Sequence, residues 1–379
     1  MSTFEVPVVR IRAIEPIPGA DAIELAVVGD YRSVVRKNTF TAGSLAVYIP
    51  EAAIVPDLLL AAMGLDGMLA GKQKNRVKAM KLRGCLSQGI LMPVDSGDDV
   101  GNPFISIPTE DGIGVMHIVA EGDNVAEVLG ITKWEPPIPV SMAGEVYAAG
   151  QLLTLSFDIE NFKKYPDIFV DGEEVVFTEK LHGTFCGVGI VPEAYARPEH
   201  IMNRMVVFSK GLGAQGLCFK DNDKNENNLY IRTLRETGVF DRLLATYGYM
   251  NTPLFVLGEV FGKGVQDLEY GIPPAFRAFA VVEGFRGQQQ YYNWTFVDLT
   301  AKALGIGTVP VLYTGPFSYD TMMGYTSGTE TASGKEAHMR EGIVMVPTQE
   351  RTDSRIGRVC LKSVSEAYLL RKGNTTEFQ

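Results

Sequence analysis

The sequence predicts an α+β protein with two domains: a small β-barrel, followed by a domain of antiparallel sheets and helices. Three observations predict this class. The chain has 379 residues, of which 46% are hydrophobic and 21% are charged, so it can bury two cores of ordinary size. Short runs rich in Val and Ile fill residues 1–133. From residue 174 onwards, similar runs are interrupted irregularly by helical patterns.

The first domain is predicted to be an OB fold. Short strand candidates at high density favour a small Greek-key barrel over a parallel sheet, and OB folds often bind oligonucleotides. Short helices are expected at residues 56–63 and 123–129. The strand candidates are residues 8–14, 23–35, 44–49, 76–82, 87–94 and 113–119.

A Pro-rich connector separates the two domains. Residues 134–140 (WEPPIPV) contain three Pro in seven positions, which predicts a stiff, extended segment. The predicted domains are therefore residues 1–140, which include the connector, and residues 141–379.

The second domain lacks the regular strand–helix alternation of a parallel sheet, so antiparallel sheets are expected. Residues 221–228 (DNDKNENN) are expected to form a polar, mobile loop, and helices are expected at residues 158–165, 232–247 and 295–304. The strand candidates are residues 174–179, 185–191, 205–209, 254–261, 277–282, 342–346 and 359–364.

Charge is unevenly distributed along the chain. The net charge of −10 argues against nucleic-acid binding over the whole surface. One basic run, however, has six cations in twelve residues. Alternation over residues 76–82 would put the basic side chains of Arg76, Lys78 and Lys81 on one face of a strand. Two readings stay open: a solvated face, or a patch that follows a phosphate backbone. The run consists of Lys72, Lys74, Arg76, Lys78, Lys81 and Arg83.

The sequence predicts a reduced cytoplasmic protein that is not inserted in a membrane. No apolar run reaches the ~18 residues that span a bilayer, and residues 1–12 lack the apolar core of a signal peptide. The four Cys are scattered without a CxxC pair and the four His do not cluster, which disfavours a zinc site and a disulfide framework.

Residues 211–216 (GLGAQG) match the spacing of a dinucleotide-binding loop. A polar stretch begins within four residues, where such a loop should open a helix, so this reading is rejected.

The segment at residues 177–184 (FTEKLHGT) places Lys180 where a predicted strand gives way to a turn. A single K-x-H-G is weak evidence, but further motifs follow in order along the chain. These are residues 207–211 (VFSKG), 257–262 (LGEVFG), 277–280 (RAFA), 340–345 (REGIVM) and 359–362 (VCLK).

In order and spacing, these segments resemble the six motifs of the covalent nucleotidyltransferases, the group of polynucleotide ligases and capping enzymes. The details are most similar to the ATP-dependent RNA ligase 2 family, in its Deinococcus-type branch with an OB domain ahead of the catalytic domain. Residues 131–137 (ITKWEPP) and 368–371 (YLLR) also resemble that branch. The resemblance implies an RNA-binding OB domain over residues 1–140 and an ATP-grasp-like adenylyltransferase domain over residues 141–379.

The resemblance implies an ATP-dependent RNA ligase that seals 5′-phosphate and 3′-hydroxyl ends in RNA repair. Lys180 would attack the α-phosphorus of ATP, carry AMP covalently, and pass it to the 5′ end. An attacking lysine must lose its proton, and burial or nearby positive charge lowers its pKa. The implied cofactors are ATP and Mg²⁺ or Mn²⁺. The protein is expected to be a monomer. The implied partner is nicked duplex or structured RNA, or an RNA/DNA hybrid.

The resemblance also implies roles for other residues. Lys210 and Lys362 would neutralise the triphosphate, and Phe279 would face adenine. Glu179 would read the adenine amino edge, and Gly183 would let the backbone approach the nucleotide. The implied metal ligands are Glu259 and Glu341, and the implied RNA contacts are the six cations of the basic run. The nucleotide-binding set is Glu179, Leu181, His182, Gly183, Lys210, Glu259, Phe279, Glu341 and Lys362.

One departure and two alternatives stay open. Cys360 stands where the last motif of the family commonly has Lys, and Arg358 is the one nearby cation that could replace it. A DNA ligase or capping guanylyltransferase is one alternative, although His182 stands where those enzymes usually have Asp. The other is a non-catalytic RNA-binding protein with a degenerate nucleotidyltransferase domain. Against it stand the intact Lys180, Glu259, Glu341 and Lys362.

Overall fold

The computed structural model describes residues 4–97, 101–112, 114–135 and 140–371. The described residues form two compact units. The first unit comprises residues 4–135, together with residues 161–166 and 369–371. The second unit comprises residues 140–160 and 167–368. Residues 136–139 of the predicted connector lie outside the described residues.

The first unit is built from short antiparallel strands, as the sequence predicts. Strand β5 joins the two cores of this unit, because its alternate residues face opposite sides. Val47 and Ile49 belong to one core, and Ala46 and Tyr48 belong to the other. The strands are β1 (Val8–Arg10), β2 (Ala13–Pro16), β3 (Ile23–Val28), β4 (Tyr31–Arg36), β5 (Leu45–Ile49), β6 (Ala53–Ile54), β7 (Met80–Leu82), β8 (Cys85–Ser87), β9 (Ile90–Pro93), β10 (Phe104–Ile107), β11 (Val115–Ile118) and β12 (Thr132–Lys133), with helix α1 (Asp57–Ala62) after β6.

Several elements predicted in this unit differ from the structure. The run at residues 8–14 is divided between β1 and β2, and the run at residues 23–35 is divided between β3 and β4. Residues 126–130 form turns, so no helix spans residues 123–129. The strand predicted at residues 76–82 is shortened to β7, which forms a hairpin with β8. Val77 and Ala79 are buried as the alternation predicts, but residues 72–79 follow an irregular path. Arg76, Lys78 and Lys81 therefore do not line the face of one strand, because only Lys81 lies in β7.

The second unit contains two larger sheets. In sheet I, strands β27, β24, β15 and β23 are neighbours in that order, and in sheet II the order is β17, β16, β19, β20 and β21, with β22 beside β20. The strands are β13 (Val146–Ala148), β14 (Glu160–Asn161), β15 (Glu174–Lys180), β16 (Thr184–Ile190), β17 (Met205–Ser209), β18 (Leu217–Phe219), β19 (Leu254–Phe261), β20 (Ala275–Glu283), β21 (Gln290–Tyr291), β22 (Gly307–Thr308), β23 (Val311–Pro316), β24 (Gly342–Pro347), β25 (Thr352–Asp353), β26 (Gly357–Arg358) and β27 (Leu361–Val364).

The helices of this unit differ in part from the prediction. Residues 232–247 belong to two helices, because Gly238 adopts a left-handed backbone (φ 69°) that ends the first. Residues 158–165 hold a short strand and a 3₁₀ turn, not a helix. The helices are α2 (Lys210–Gln215), α3 (Leu229–Thr237), α4 (Val239–Tyr247), α5 (Trp294–Ala303), α6 (Tyr319–Thr326) and α7 (Glu366–Leu370). Among the described residues, none of the helices is long and apolar enough to cross a membrane.

The GLGAQG run lies within the short helix α2, which begins at Lys210 and is ended by Gly216 in a left-handed backbone (φ 78°), so no helix opens after the run. The rejection of a dinucleotide fold still holds, because the strand before it, β17, pairs antiparallel with β16, and β16 pairs antiparallel with β19. A dinucleotide fold requires a parallel sheet at this point.

The polar segment at residues 221–228 is tied into the unit by its asparagines, so its composition misled the sequence analysis. Asn225 is buried, and its amide donates to the carbonyls of Glu145 and Lys220. Asn228 is also buried and caps helix α3 by accepting hydrogen bonds from the N–H groups of Tyr230 and Ile231. These side chains satisfy backbone groups that would otherwise be buried without partners.

Replacing Asn228 with Ala should lower the free energy of unfolding by about 1–3 kcal/mol, because the first turn of α3 loses its cap. The exposed neighbour Asn227 provides the control, and Asn227→Ala should change stability by less than about 0.5 kcal/mol. Urea unfolding followed by circular dichroism measures both values. Equal midpoints for the two variants would contradict a capping role.

Candidate active site

The centre of the site is an ion pair between Lys180 and Glu341. Lys180 is the last residue of β15 and lies opposite Gly342, the first residue of β24. Its Nζ is 2.7 Å from Glu341 Oε1, and the side chains are 14% and 2% exposed. The primary amine thus lies beside a carboxylate that is almost fully removed from water and can accept a proton from it.

His182 extends this pair into a hydrogen-bonded network. Its Nε2 lies 2.6 Å from Asp267 Oδ1, and its Nδ1 lies 2.9 Å from the Tyr368 hydroxyl. The same Nδ1 is 3.6 Å from the second carboxylate oxygen of Glu341. The backbone N–H of His182 donates to the Tyr270 hydroxyl. The turn after Lys180 is therefore fixed by both side-chain and backbone contacts.

Strand register places Lys362 on the same face of sheet I as Lys180. Thr178, Val344 and Lys362 are directly opposite one another on adjacent strands, and such residues share a face. Thr178 is two residues before Lys180 and so points the same way. Val344, which the sequence analysis missed, is half-buried between these groups.

Sheet II carries the second predicted carboxylate. Phe185, Glu259 and Arg277 lie opposite one another on β16, β19 and β20, and therefore share a face. Phe279 lies in β20 at the bulge that interrupts this register. Its ring is 5.2 Å from Phe157 and 6.1 Å from Phe185, measured between centroids, so it belongs to a cluster of aromatic rings.

Glu179 is buried immediately before Lys180. Its Oε2 accepts a hydrogen bond from the backbone N–H of Thr331 at 2.8 Å, and its own N–H donates to the carbonyl of Pro310. Burial raises the pKa of Glu179, and the hydrogen bonds from Thr331 oppose this only in part. Its Oε1 is buried and has no hydrogen-bond partner among the residues the structure describes.

Two predicted site residues have clear packing roles. Leu181 is buried in an apolar cluster with Phe261 and Tyr270. At Gly183, an added Cβ would lie 2.3 Å from the carbonyl oxygen of Val260, so only glycine allows this approach of the turn to β19.

The remaining cations differ in how tightly they are held. Lys210 begins α2, is 49% exposed and pairs with Asp158 at 2.9 Å. Arg358 donates two hydrogen bonds to Glu350 and lies 4.3 Å above the ring of Tyr291. In this arrangement the charge of Arg358 is already matched by a carboxylate.

The basic run of the first unit divides into two groups. The guanidinium of Arg76 lies 4.1 Å above the Trp134 ring, and partial burial lowers the pKa of Arg76. Lys78 Nζ donates to the carbonyl of Arg371 at 3.0 Å. These two cations contact their own unit. The others are exposed: Lys72, Lys74, Lys81 and Arg83.

Of the predicted metal ligands, Glu341 immediately precedes β24 of sheet I, and Glu259 lies in β19 of sheet II. Within residues 4–97, 101–112, 114–135 and 140–371, no group of three or more His, Cys, Asp or Glu could hold a metal ion by itself.

Comparison with known proteins identifies a family and a group of solved structures with a similar fold. The model of the RNA ligase family matches residues 173–364, and an OB-fold domain model matches residues 6–94. None of the curated proteins matches the chain. Solved structures of a Naegleria gruberi RNA ligase are similar in fold. A mutant apo form has 21% identity, a TM-score of 0.73 and coverage of 97% of both chains. The form with PPi has 22% identity, a TM-score of 0.73 and coverage of 97% and 98%.

A mutant of the same Naegleria protein with ATP and Mn has 20% identity and a TM-score of 0.72, over 96% of this chain and 98% of that one. The predicted α+β class and the OB fold of the first unit are confirmed. Because the family model spans half of the sequence, the chain belongs to the RNA ligase family.

Proposed function

We propose that this protein is an ATP-dependent RNA ligase that joins 5′-phosphate and 3′-hydroxyl RNA ends through an AMP adduct on Lys180. The observation that carries the proposal is the position of Lys180. Its amine projects from the end of a strand, 2.7 Å from the buried carboxylate of Glu341, on the face that also holds Lys362. A buried lysine beside a proton acceptor and a second cation is suited to nucleophilic attack on phosphorus.

In the first step, the Lys180 amine loses a proton and attacks the α-phosphorus of ATP. A P–N bond forms, the bond to the bridging oxygen breaks, and pyrophosphate leaves. Glu341 is close enough to accept the proton. Lys362 and Lys210 are the cations that would balance the negative charge on the phosphates.

Two further transfers complete the reaction. The RNA 5′-phosphate oxygen attacks the AMP phosphorus, which breaks the P–N bond and returns Lys180 to its amine. The 3′-hydroxyl then attacks the activated 5′-phosphate, forms the phosphodiester, and releases AMP. The same cations would serve both steps, because charge accumulates on phosphate oxygens each time.

Mg²⁺ or Mn²⁺ would be held by Glu341 and Glu259. Mg²⁺ is commonly bound by one or two carboxylates together with substrate phosphates, so two carboxylates without a complete protein cage fit this use. The metal would supply further positive charge next to the phosphates. The Naegleria ligase with ATP and Mn supports this choice of cofactors.

The adenine would lie between Phe279 and Val344. Both side chains are half-buried, and each shares its sheet face with a predicted phosphate or metal residue. The unpartnered Oε1 of Glu179 is an acceptor suited to an adenine amino group. The adenylyltransferase domain would thus be residues 141–379, and the OB domain of residues 1–140 would hold nicked or structured RNA through its exposed cations.

Lys180→Ala should abolish self-adenylylation and keep the fold, because only an amine that can lose its proton forms the P–N bond. Lys180→Arg should fail as well, since arginine stays protonated at workable pH. Intact mass after incubation with ATP and Mg²⁺ or Mn²⁺ should increase by one AMP in the unchanged protein alone. An adduct on either variant would refute the assignment. The same assay with GTP, followed by RNA and DNA nicks, separates an RNA ligase from a guanylyltransferase or DNA ligase.

Glu341→Gln and Glu259→Gln should each slow ligation at least about a hundredfold, because each removes a carboxylate that would hold the metal beside the reacting phosphate. Glu174, exposed at the other end of β15, provides the matched control, and Glu174→Gln should ligate normally. Single-turnover sealing of a nicked RNA duplex at saturating metal measures the rates. Normal rates for Glu341→Gln and Glu259→Gln would show that these two carboxylates have structural roles only.

The double variant Lys72→Glu, Arg83→Glu should weaken binding to a nicked RNA duplex and flatten its dependence on salt. Each lost phosphate contact reduces the slope of log affinity against log salt by an amount of order 0.9, the value for duplex DNA. These two residues are exposed, whereas Lys78 contacts Arg371 and would confound a charge reversal. Lys37→Glu, an exposed site outside the basic run, is the control. An unchanged salt dependence would indicate that the basic run is a solvated face that does not contact RNA.

A further inference from the structure

The second unit contains a cavity of about 370 Å³ beside strand β20 of sheet II. This volume lies at the lower end of the range of roughly 300–1,000 Å³ that is typical of small-molecule pockets. The cavity is bounded by β20, by the last turns of α5, and by the segment that follows α5. Its polar lining residues are Arg277, Asp298, Lys302 and Thr308.

The unmatched charge in this cavity is positive. Lys302 pairs with Asp298 one helical turn before it, at 2.5 Å. Arg277 is half-buried, and among the described residues its guanidinium has no hydrogen-bond acceptor and no ion-pair partner. A partly desolvated guanidinium has five N–H donors to satisfy, so this arrangement calls for an acceptor that the protein does not provide.

Gly307 leaves the space that the guanidinium of Arg277 occupies. The two residues are opposite each other in the parallel pairing of β20 with β22. A Cβ added at Gly307 would lie 1.6 Å from Arg277 Nη1. Gly307 does not have a positive φ, so glycine is required here for space and not for backbone conformation. The guanidinium therefore lies directly across the backbone of β22.

The cavity adjoins the residues of the candidate active site. Arg277 lies opposite Glu259 on the same face of sheet II. Pro310, another lining residue, accepts the backbone hydrogen bond of Glu179, which precedes Lys180. A ligand in the cavity would thus contact Arg277 and Pro310, which are direct neighbours of Glu259 and Glu179.

We propose that this cavity binds a phosphate group of a nucleotide unit and that Arg277 is its principal ligand. The planar guanidinium can donate two parallel hydrogen bonds to phosphate oxygens, and the volume leaves room for more than the phosphate alone. The proposal rests on the function proposed above. The phosphate ester can belong to ATP or to the RNA strand, and the two sources are separable by experiment.

Two variants of the full chain test the proposal. Arg277→Ala removes the guanidinium, and Gly307→Ala keeps the arginine but displaces it. The first measurement is ATP binding, followed by self-adenylylation. The second is binding and sealing of a nicked RNA whose 5′ end already carries AMP, which bypasses ATP. In one of the two measurements, the affinity and the rate should fall about ten- to a hundredfold for both variants. The measurement that is affected identifies the source of the phosphate.

Arg232→Ala, an exposed arginine on α3, is the matched control and should bind and react normally. Thermal unfolding of each variant checks the fold; if Arg277→Ala is unstable, Gly307→Ala and Arg277→Lys decide the question. Normal binding and rates in both measurements would overturn the proposal. Failure of the unchanged protein to adenylylate would instead reject the proposed function, while direct binding of ATP and nicked RNA would still test the cavity.

Discussion

The ion pair between Lys180 and Glu341 is the interaction on which the arrangement of the candidate active site depends. Glu341 is only 2% exposed, and a buried carboxylate without a partner would cost several kcal/mol. The pair exists only because β15 and β24 meet in the register that places Lys180 opposite Gly342. In the proposed reaction, AMP transfer removes the positive charge of Lys180. The buried carboxylate then requires other polar neighbours, and His182 is already 3.6 Å from its second oxygen.

Two glycines allow the elements around this pair to approach closely. A Cβ at Gly342 would lie 2.1 Å from the carbonyl oxygen of Ser363, and a Cβ at Gly183 would lie 2.3 Å from that of Val260. The first contact is with β27, which carries Lys362, and the second is with β19, which carries Glu259. Side chains at either position would move these strands and the functional groups on them. The spacing of the charged side chains is therefore set by close backbone contacts. In the sequence motifs these contacts are visible only as glycine residues.

Local patterns predicted much of this structure, and contacts distant in sequence account for what they missed. The K-x-H-G turn, the strands that carry Glu259 and Lys362, and the OB fold follow from periodicity and motif order. Asp267 and Tyr368 could not be predicted as partners of His182, since they lie 85 and 186 residues away from it. Asn225 and Asn228 looked like loop residues because polar composition does not distinguish a solvated amide from a buried one. The placement of residues 161–166 in the first unit also depends on contacts distant in sequence, so no local pattern predicts it.

The cations near the reacting groups differ in how easily they can turn to a phosphate. Lys210 is 49% exposed and makes one contact to Asp158, so its own side chain is less tightly held than that of Arg358, although Asp158 is only 13% exposed. Arg358 is 15% exposed, makes two hydrogen bonds to Glu350 and stacks on Tyr291, so its release would leave a carboxylate unpaired. Arg358 is therefore a poor substitute for the lysine that Cys360 replaces. Arg277 has no partner among the described residues to give up, so it could turn to a phosphate without breaking an ion pair.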